Sequence, residues 1–228
     1  MNIQDKLQEL FPIHHRAGNI LLLNADCMEV MKHIKDNEFE LSCVDPPYGI
    51  NMAMGHKGSK KRGDANKYKN FAGNDSQTPK QEYWDELFRV SKNQIVWGGN
   101  YMMEYLKSTP CFLIWDKVQP EQFSMAMAEF AWTSFKTPAK IYKKRVVGAD
   151  PGGRIHPTQK PVKLYEWLLN NYAKEGDKIL DTHGGSMSSM LACHNGGFDA
   201  VCCELDKDYY NSGVARYEQH IKQLDLLA

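Results

Sequence analysis

Short β-branched or apolar runs alternate with segments of helical periodicity along most of this chain, and that alternation restricts the fold more than any other feature. The runs cover residues 20–26, 41–45, 94–97, 111–115, 178–181 and 200–204. Helix-like segments fall between several of them, at 27–35, 80–90 and 162–173; in the last, Leu164, Tyr165, Leu168, Leu169 and Tyr172 share one face. A final segment, 209–224, spaces Tyr210, Val214, Tyr217, Ile221 and Leu224 by threes and fours, as a helix packed on a sheet does. Strands joined through helices run parallel and bury both faces, so the expected class is α/β, a doubly wound, mostly parallel sheet. Residues 123–135 and 140–146 break the rhythm and read as consecutive strands joined by a turn at 136–138, an antiparallel hairpin at one sheet edge.

At 228 residues, 42% hydrophobic and 25% charged, the chain can bury one sizeable core, and disorder, fibrous repeats and small disulfide scaffolds are excluded. The expected organisation is a single domain over 1–228. Twenty-eight basic residues balance 28 acidic ones, so a polyanion would have to be held by local patches rather than a global field. No run approaches the ~20 apolar residues of a membrane span, and the N-terminus lacks a basic-then-apolar leader, so no membrane association and a cytoplasmic location are expected. Six cysteines without a Cys-x-x-Cys pair read as reduced thiols. His14 and His15 flank an expected turn, and no histidine pair has a third ligand at metal spacing, so no metal is expected.

The most informative residues are Asp45, Pro46, Pro47 and Tyr48, immediately after a strand. Ligand sites of open α/β sheets lie beyond the carboxyl ends of strands. The two prolines stiffen the turn and remove two amide donors, leaving the Pro46 carbonyl available to a ligand. Asp45 adds an acceptor and Tyr48 a flat aromatic face. A nucleobase amino group fits this set: a carboxylate and a carbonyl take its two hydrogens while the ring stacks on tyrosine. The amine lone pair is delocalised into the base, and drawing both hydrogens toward a tetrahedral arrangement restores its nucleophilicity without a strong base.

A second constellation runs from Asp181 through Thr182, His183, Gly184, Gly185, Ser186 and Met187 to Ser188 and Ser189: a strand, a glycine turn, then a serine-capped helix from about 188 that stops at Gly196 and Gly197. The turn resembles a nucleotide-binding corner without meeting the dinucleotide fingerprint, because Met187 stands at a glycine position. Glu204, about twenty residues on at the next strand end, could accept from both hydroxyls of a ribose. Asp26, also at a strand end, could accept from an adenine amino group or cap the following helix. Residues 49–79 form a long insert rich in glycine, asparagine and lysine, expected to be functional or mobile. Its Lys57, Lys60, Lys61, Arg62, Lys67 and Lys69 either face solvent or contact phosphate.

Taken together, these segments resemble the DPPY-type amino-methyltransferases that use S-adenosylmethionine to methylate adenine N6 in DNA. The resemblance spans most of the chain: residues 24–30 leading to 45–49, then 95–100, 130–135, 156–161 and 181–189. The catalytic motif precedes the cofactor motif, the circularly permuted order of the beta class. The resemblance implies a Rossmann-like methyltransferase fold, double-stranded DNA as partner, and Asp45, Pro46, Pro47 and Tyr48 holding a flipped adenine. It implies S-adenosylmethionine bound by Asp181, Thr182, His183, Gly185 and Ser186 at its methionine part, with Glu204 at the ribose and Asp26 near the adenine. Thr158, Gln159, Lys160 and Pro161 open the helix over the methionine moiety. The basic residues after Tyr48 would then touch DNA phosphates, and a short segment at about 136–156 would do the base reading. Homodimerisation and a cognate restriction enzyme stay open.

The chain departs from the family turn at Thr182, His183 and Met187. Met187 either fills core space under the helix start or weakens cofactor binding. Cytosine N4 or RNA adenine as target, and an inactive nucleic-acid-binding module, remain the alternatives.

Overall fold

The structure, a computed structural model, describes residues 2–50, 75–122, 126–145, 155–156 and 158–225. The elements run in the order α1 (Ile3–Leu10), β1 (His14–Ala17), β2 (Ile20–Asn24), α2 (Cys27–Met31), β3 (Phe39–Val44), α3 (Gln81–Val90), β4 (Ser91–Trp97), a 3-10 turn (Gly99–Tyr101), β5 (Phe112–Asp116), β6 (Ala128–Thr133), β7 (Lys140–Lys143), α4 (Val162–Tyr172), β8 (Lys178–Asp181), α5 (Ser188–Asn195), β9 (Asp199–Glu204) and α6 (Lys207–Asp225). The strands form one sheet in the order β1-β2-β9-β8-β3-β4-β6-β5-β7. From β2 to β4 every neighbour pair is parallel, while β1 and β6 run antiparallel to the strands beside them. The α/β, mostly parallel expectation therefore holds.

Alternate residues of each central strand serve opposite faces. Ile20 and Leu22 of β2 pack with Leu164 and Leu168 of α4 and Tyr217 of α6, while Leu21 and Leu23 pack with Leu7 of α1, Val30 of α2 and Trp84 of α3. This is why the central runs are continuously apolar: a parallel sheet clothed on both sides leaves no strand face for water. Among the described residues no helix is long and apolar enough to cross a membrane.

Two local expectations are corrected. The hairpin does not join 123–135 to 140–146: β6 pairs antiparallel with both β4 and β5, and β7 lies at the outer edge, parallel to β5. The reason is burial. Ala131, Trp132 and Thr133 of β6 are buried and require a strand on each side, whereas β7, with Lys140 and Lys143 and mostly exposed residues, suits an edge. His14 and His15 lie in β1 rather than beside a turn. The turn is Gly18-Asn19, a two-residue hairpin between Ala17 and Ile20 with Gly18 at φ 59°. Lys57, Lys60, Lys61, Arg62, Lys67 and Lys69, with most of the expected basic loop, lie outside the described residues, as do 146–154 of the expected recognition segment.

Candidate active site

The parallel part of the sheet lines up residues that the sequence scatters over 180 positions. Reading across the strand order at the carboxyl ends, Asp26 follows β2, Glu204 ends β9, Asp181 ends β8, Asp45 follows β3 and Gly98 follows β4. Neighbouring strands stand roughly 4.8 Å apart, so these five positions form one continuous ledge. Both expected constellations are therefore brought to one edge of the sheet, with Asp45 and Asp181 on adjacent strands.

Asp45 is held at both oxygens. Its Oδ1 accepts the Tyr48 hydroxyl at 2.6 Å, and its Oδ2 accepts Nζ of Lys160 at 2.5 Å. Asp75 fixes the backbone of the same turn, its Oδ1 accepting from the amides of Tyr48 and Gly49. No hydrogen bond from any described residue reaches the Pro46 carbonyl. The Tyr48 ring rests against Gly98 and stacks on Tyr101, centroids 5.4 Å apart and planes 18° from parallel. Gly98 is in the left-handed region, φ 66°, and is the only residue type that could lie there so near the ring. Burial and the neighbouring Asp45 hold the Tyr48 phenol well above its ordinary pKa, so it stays a donor to the carboxylate.

Lys160, expected among the cofactor residues, directs its ammonium at Asp45, Tyr48 and Glu129 in the catalytic corner. Thr158 is exposed and bonds to His156, Gln159 accepts from the Ile155 amide, and Pro161 is the N-cap of α4. The His156 ring, buried against Tyr209, lies across from Gly185, which brings the 155–161 segment to the glycine turn.

In that turn Asp181 is almost fully buried, accepting from Ser189 Oγ and the His183 amide; burial raises its carboxyl to about 7 despite those bonds. Thr182 bonds to Tyr83 and His183, and burial lowers the His183 imidazole to about 4. Ser186 turns inward: its hydroxyl meets Ser188 and its carbonyl accepts from Arg216. Glu204 Oε2 accepts from the Gly185 amide and Oε1 from the Asp206 amide. Asp26 is exposed, and its side chain caps α2 through the Met28 amide. Both readings of Asp26 are compatible, since capping uses one oxygen.

The helix cap itself is corrected: α5 is preceded by Met187 in the left-handed region, φ 59°, and Ser188 is its first residue, with no side-chain cap. The Met187 side chain is fully buried, its Sδ 3.5 Å from Cys202 Sγ, in space left by Gly184 and Gly213. A Cβ on either glycine would stand within 3 Å of it. Of its two readings, that of core filler is the one the packing matches.

The donor set suits a nucleoside carrying a positive charge. Carboxyl groups stand at four successive strand ends, those of Asp26, Glu204, Asp181 and Asp45, and a Cβ built at Gly185 would have His156 no nearer than 3.8 Å. Sequence reasoning did not single out Asp75, Gly98, Tyr101 or Glu129. Gly98 lay in a quoted motif, but only the approach of Tyr48 gives it a role.

Residues 96–215, more than half of the chain, match the N6_N4_Mtase family of DNA methylases. The chain belongs to that family. The match takes in the cofactor-type turn and β9 but begins after the tetrapeptide at 45–48. Among curated relatives, the methylase chain is 21% identical to the type II methyltransferase M.HpaI of Haemophilus parainfluenzae, over 90% of this chain and 76% of that one. Its fold is that of the M1.HpyAVI–SAM complex (TM-score 0.58, 19% identity, 86% of this chain and 98% of that one) and of the cytosine-N4-specific PvuII DNA methyltransferase (TM-score 0.61, 14% identity, 90% and 91%).

Proposed function

We propose that this DNA methylase transfers a methyl group from S-adenosylmethionine to the N6 amine of an adenine turned out of duplex DNA. The observation that carries the reading is the fixed carboxylate of Asp45 in one stiff turn with Pro46, Pro47 and the Tyr48 ring, one strand away from the Asp181 turn. Asp45 and Pro46 accept the two amine hydrogens, Pro47 stiffens the turn, and the Tyr48 ring packs the base in place. Positioning supplies much of the rate, since a held amine reacts as if at very high local concentration.

On the other side of the ledge, Glu204 accepts from ribose hydroxyls and Asp26 lies near the cofactor's adenine. Asp181, Thr182, His183, Gly185 and Ser186 line the methionine part together with Thr158, Gln159 and Pro161. When bound, S-adenosylmethionine supplies a methyl carbon made electrophilic by its sulfonium. Lys57, Lys60, Lys61, Arg62, Lys67 and Lys69 contact DNA phosphates, a short segment at about 136–156 reads bases, and the motif order is the permuted one of the beta class.

Aspartate at the head of the tetrapeptide supports adenine over cytosine N4. The test incubates the protein with labelled S-adenosylmethionine and unmethylated DNA, digests to nucleosides and identifies the labelled one. N6-methyl-2′-deoxyadenosine is expected; N4-methyl-2′-deoxycytidine or no label overturns the reading. Asp45→Ala is expected to abolish transfer while cofactor binding persists.

A further inference from the structure

Behind the catalytic corner runs a row of four charged side chains of alternating sign. Asp45 meets Lys160, Lys160 Nζ lies 3.2 Å from Glu129 Oε2, and Glu129 Oε1 lies 2.6 Å from Lys117 Nζ. Lys160 and Lys117 are 3% and 7% exposed, and the Glu129 side chain 23%. Sequence distance gives no hint of the row, whose members come from the turn after β3, the entry to α4, β6 and the exit of β5.

An ammonium has three N–H donors. Those of Lys160 find three acceptors, Asp45 Oδ2, Glu129 Oε2 and Tyr48 Oη, while its charge lies over the rings of Trp97 and Tyr48. Asp45 alone would balance a buried lysine, but that carboxylate would then be a weaker acceptor, because a tightly paired charge attracts a third group less. Glu129 takes part of the attraction, and Lys117 in turn compensates Glu129.

We propose that Glu129 is a positioning residue for methyl transfer: through Lys160 it fixes the rotamer of Asp45 and preserves its strength as acceptor for the target amine. The inference rests on the methyl-transfer reading above. It assigns Lys160 to the catalytic corner and gives Glu129, which nothing in the tetrapeptide or the cofactor turn implicates, a place in the reaction. Burial opposes ionisation of Glu129, yet Lys160 and Lys117 together keep its carboxyl below the usual range, so the row stays charged at neutral pH. The groups facing Lys160 are Asp45, Tyr48, Glu129 and, from α4, Tyr165; those facing Asp45 are Tyr48 and Lys160, with Cys43 and Asp181 beyond.

The test measures kcat and KM for methyl transfer to DNA for the full chain, Glu129→Gln, Lys160→Met and the double variant. Glu129→Gln is expected to lower kcat about tenfold to hundredfold, with KM for S-adenosylmethionine changed less than about threefold. The double variant should be no slower than Lys160→Met, because Glu129 acts through the lysine. Losses that multiply, or a Glu129→Gln enzyme as fast as the parent, would each overturn the proposal. Circular dichroism checks folding; should Glu129→Gln not fold, Glu129→Asp, which keeps the charge but draws it back, carries the same kcat-against-KM split. Absence of transfer by the unmodified chain would instead overturn the methyl-transfer reading itself.

Discussion

The ring of Tyr48 lies over Gly98 so closely that a Cβ built at position 98 would stand 2.2 Å from the ring's Cε1. Two strand ends are thereby locked together, the turn after β3 and the turn after β4, and the aromatic face of the corner takes its orientation from a residue without a side chain. Gly98→Ala should displace the ring and place alanine at φ 66°. We expect a loss of about 2–4 kcal/mol in stability from overpacking and left-handed strain, with methyl transfer reduced at least about tenfold. Thermal unfolding and initial rates check both; an alanine variant of unchanged rate would mean that the ring's position is immaterial.

Glu204, at the end of β9, receives the amides of Gly185 and Asp206. Glu204→Gln keeps the acceptor toward one amide but removes the charge, and should weaken S-adenosylmethionine binding about tenfold to hundredfold. Isothermal calorimetry reads this directly, with kcat at saturating cofactor falling much less.

Asp181 gives the fold a pH signature. Its carboxyl is raised from 3.8 to about 7 by burial, so the folded state holds a proton that the unfolded state has released. Stability from this group is fully present below about pH 4 and is lost as pH rises toward and through 7, a change on the order of 4 kcal/mol. Urea unfolding midpoints of the parent and Asp181→Asn should therefore diverge with rising pH, the asparagine variant lacking this decline. Parallel curves would show that the carboxyl is ionised throughout.

Met187 separates packing from binding. Met187→Gly relieves a left-handed backbone but empties space between Gly184, Gly213 and Cys202, so we expect a net destabilisation of roughly 2–4 kcal/mol. Cofactor affinity should stay within about threefold. Tighter binding in the glycine variant would show that the methionine obstructs the site.

Neutralising Lys60, Lys61 and Arg62 should flatten the salt dependence of DNA binding, since each lost phosphate contact removes roughly 0.9 from the slope of log affinity against log salt. A slope equal to the parent's would remove these residues from the interface.

How much of this was legible in sequence follows from the range of the interactions involved. Most strand and helix identities were, because periodicity is local: the apolar runs at 20–26, 41–45 and 200–204 mark β2, β3 and β9, Asp181 and Glu204 end their strands, and Asp45 follows its own directly, whereas α1 and β1 were not anticipated. Gly18-Asn19 was a legible hairpin turn that went unread. Which strand lies beside which was not legible. β6 slips between β4 and β5 because its buried residues need neighbours on both sides, a fact of the whole sheet that no window of sequence contains.

The sequence by itself determined an α/β chain with a stiff Asp-Pro-Pro-Tyr turn and a glycine corner at strand ends, since these depend on backbone geometry and hydrophobic period. Only the tertiary structure decided that Lys160 faces Asp45 rather than the glycine corner, that Glu129 stands behind it, and that Gly98 makes room for Tyr48. Burying a charge requires an opposite charge within a few ångströms, and which residues meet that need is settled by the packing of elements far apart in the chain.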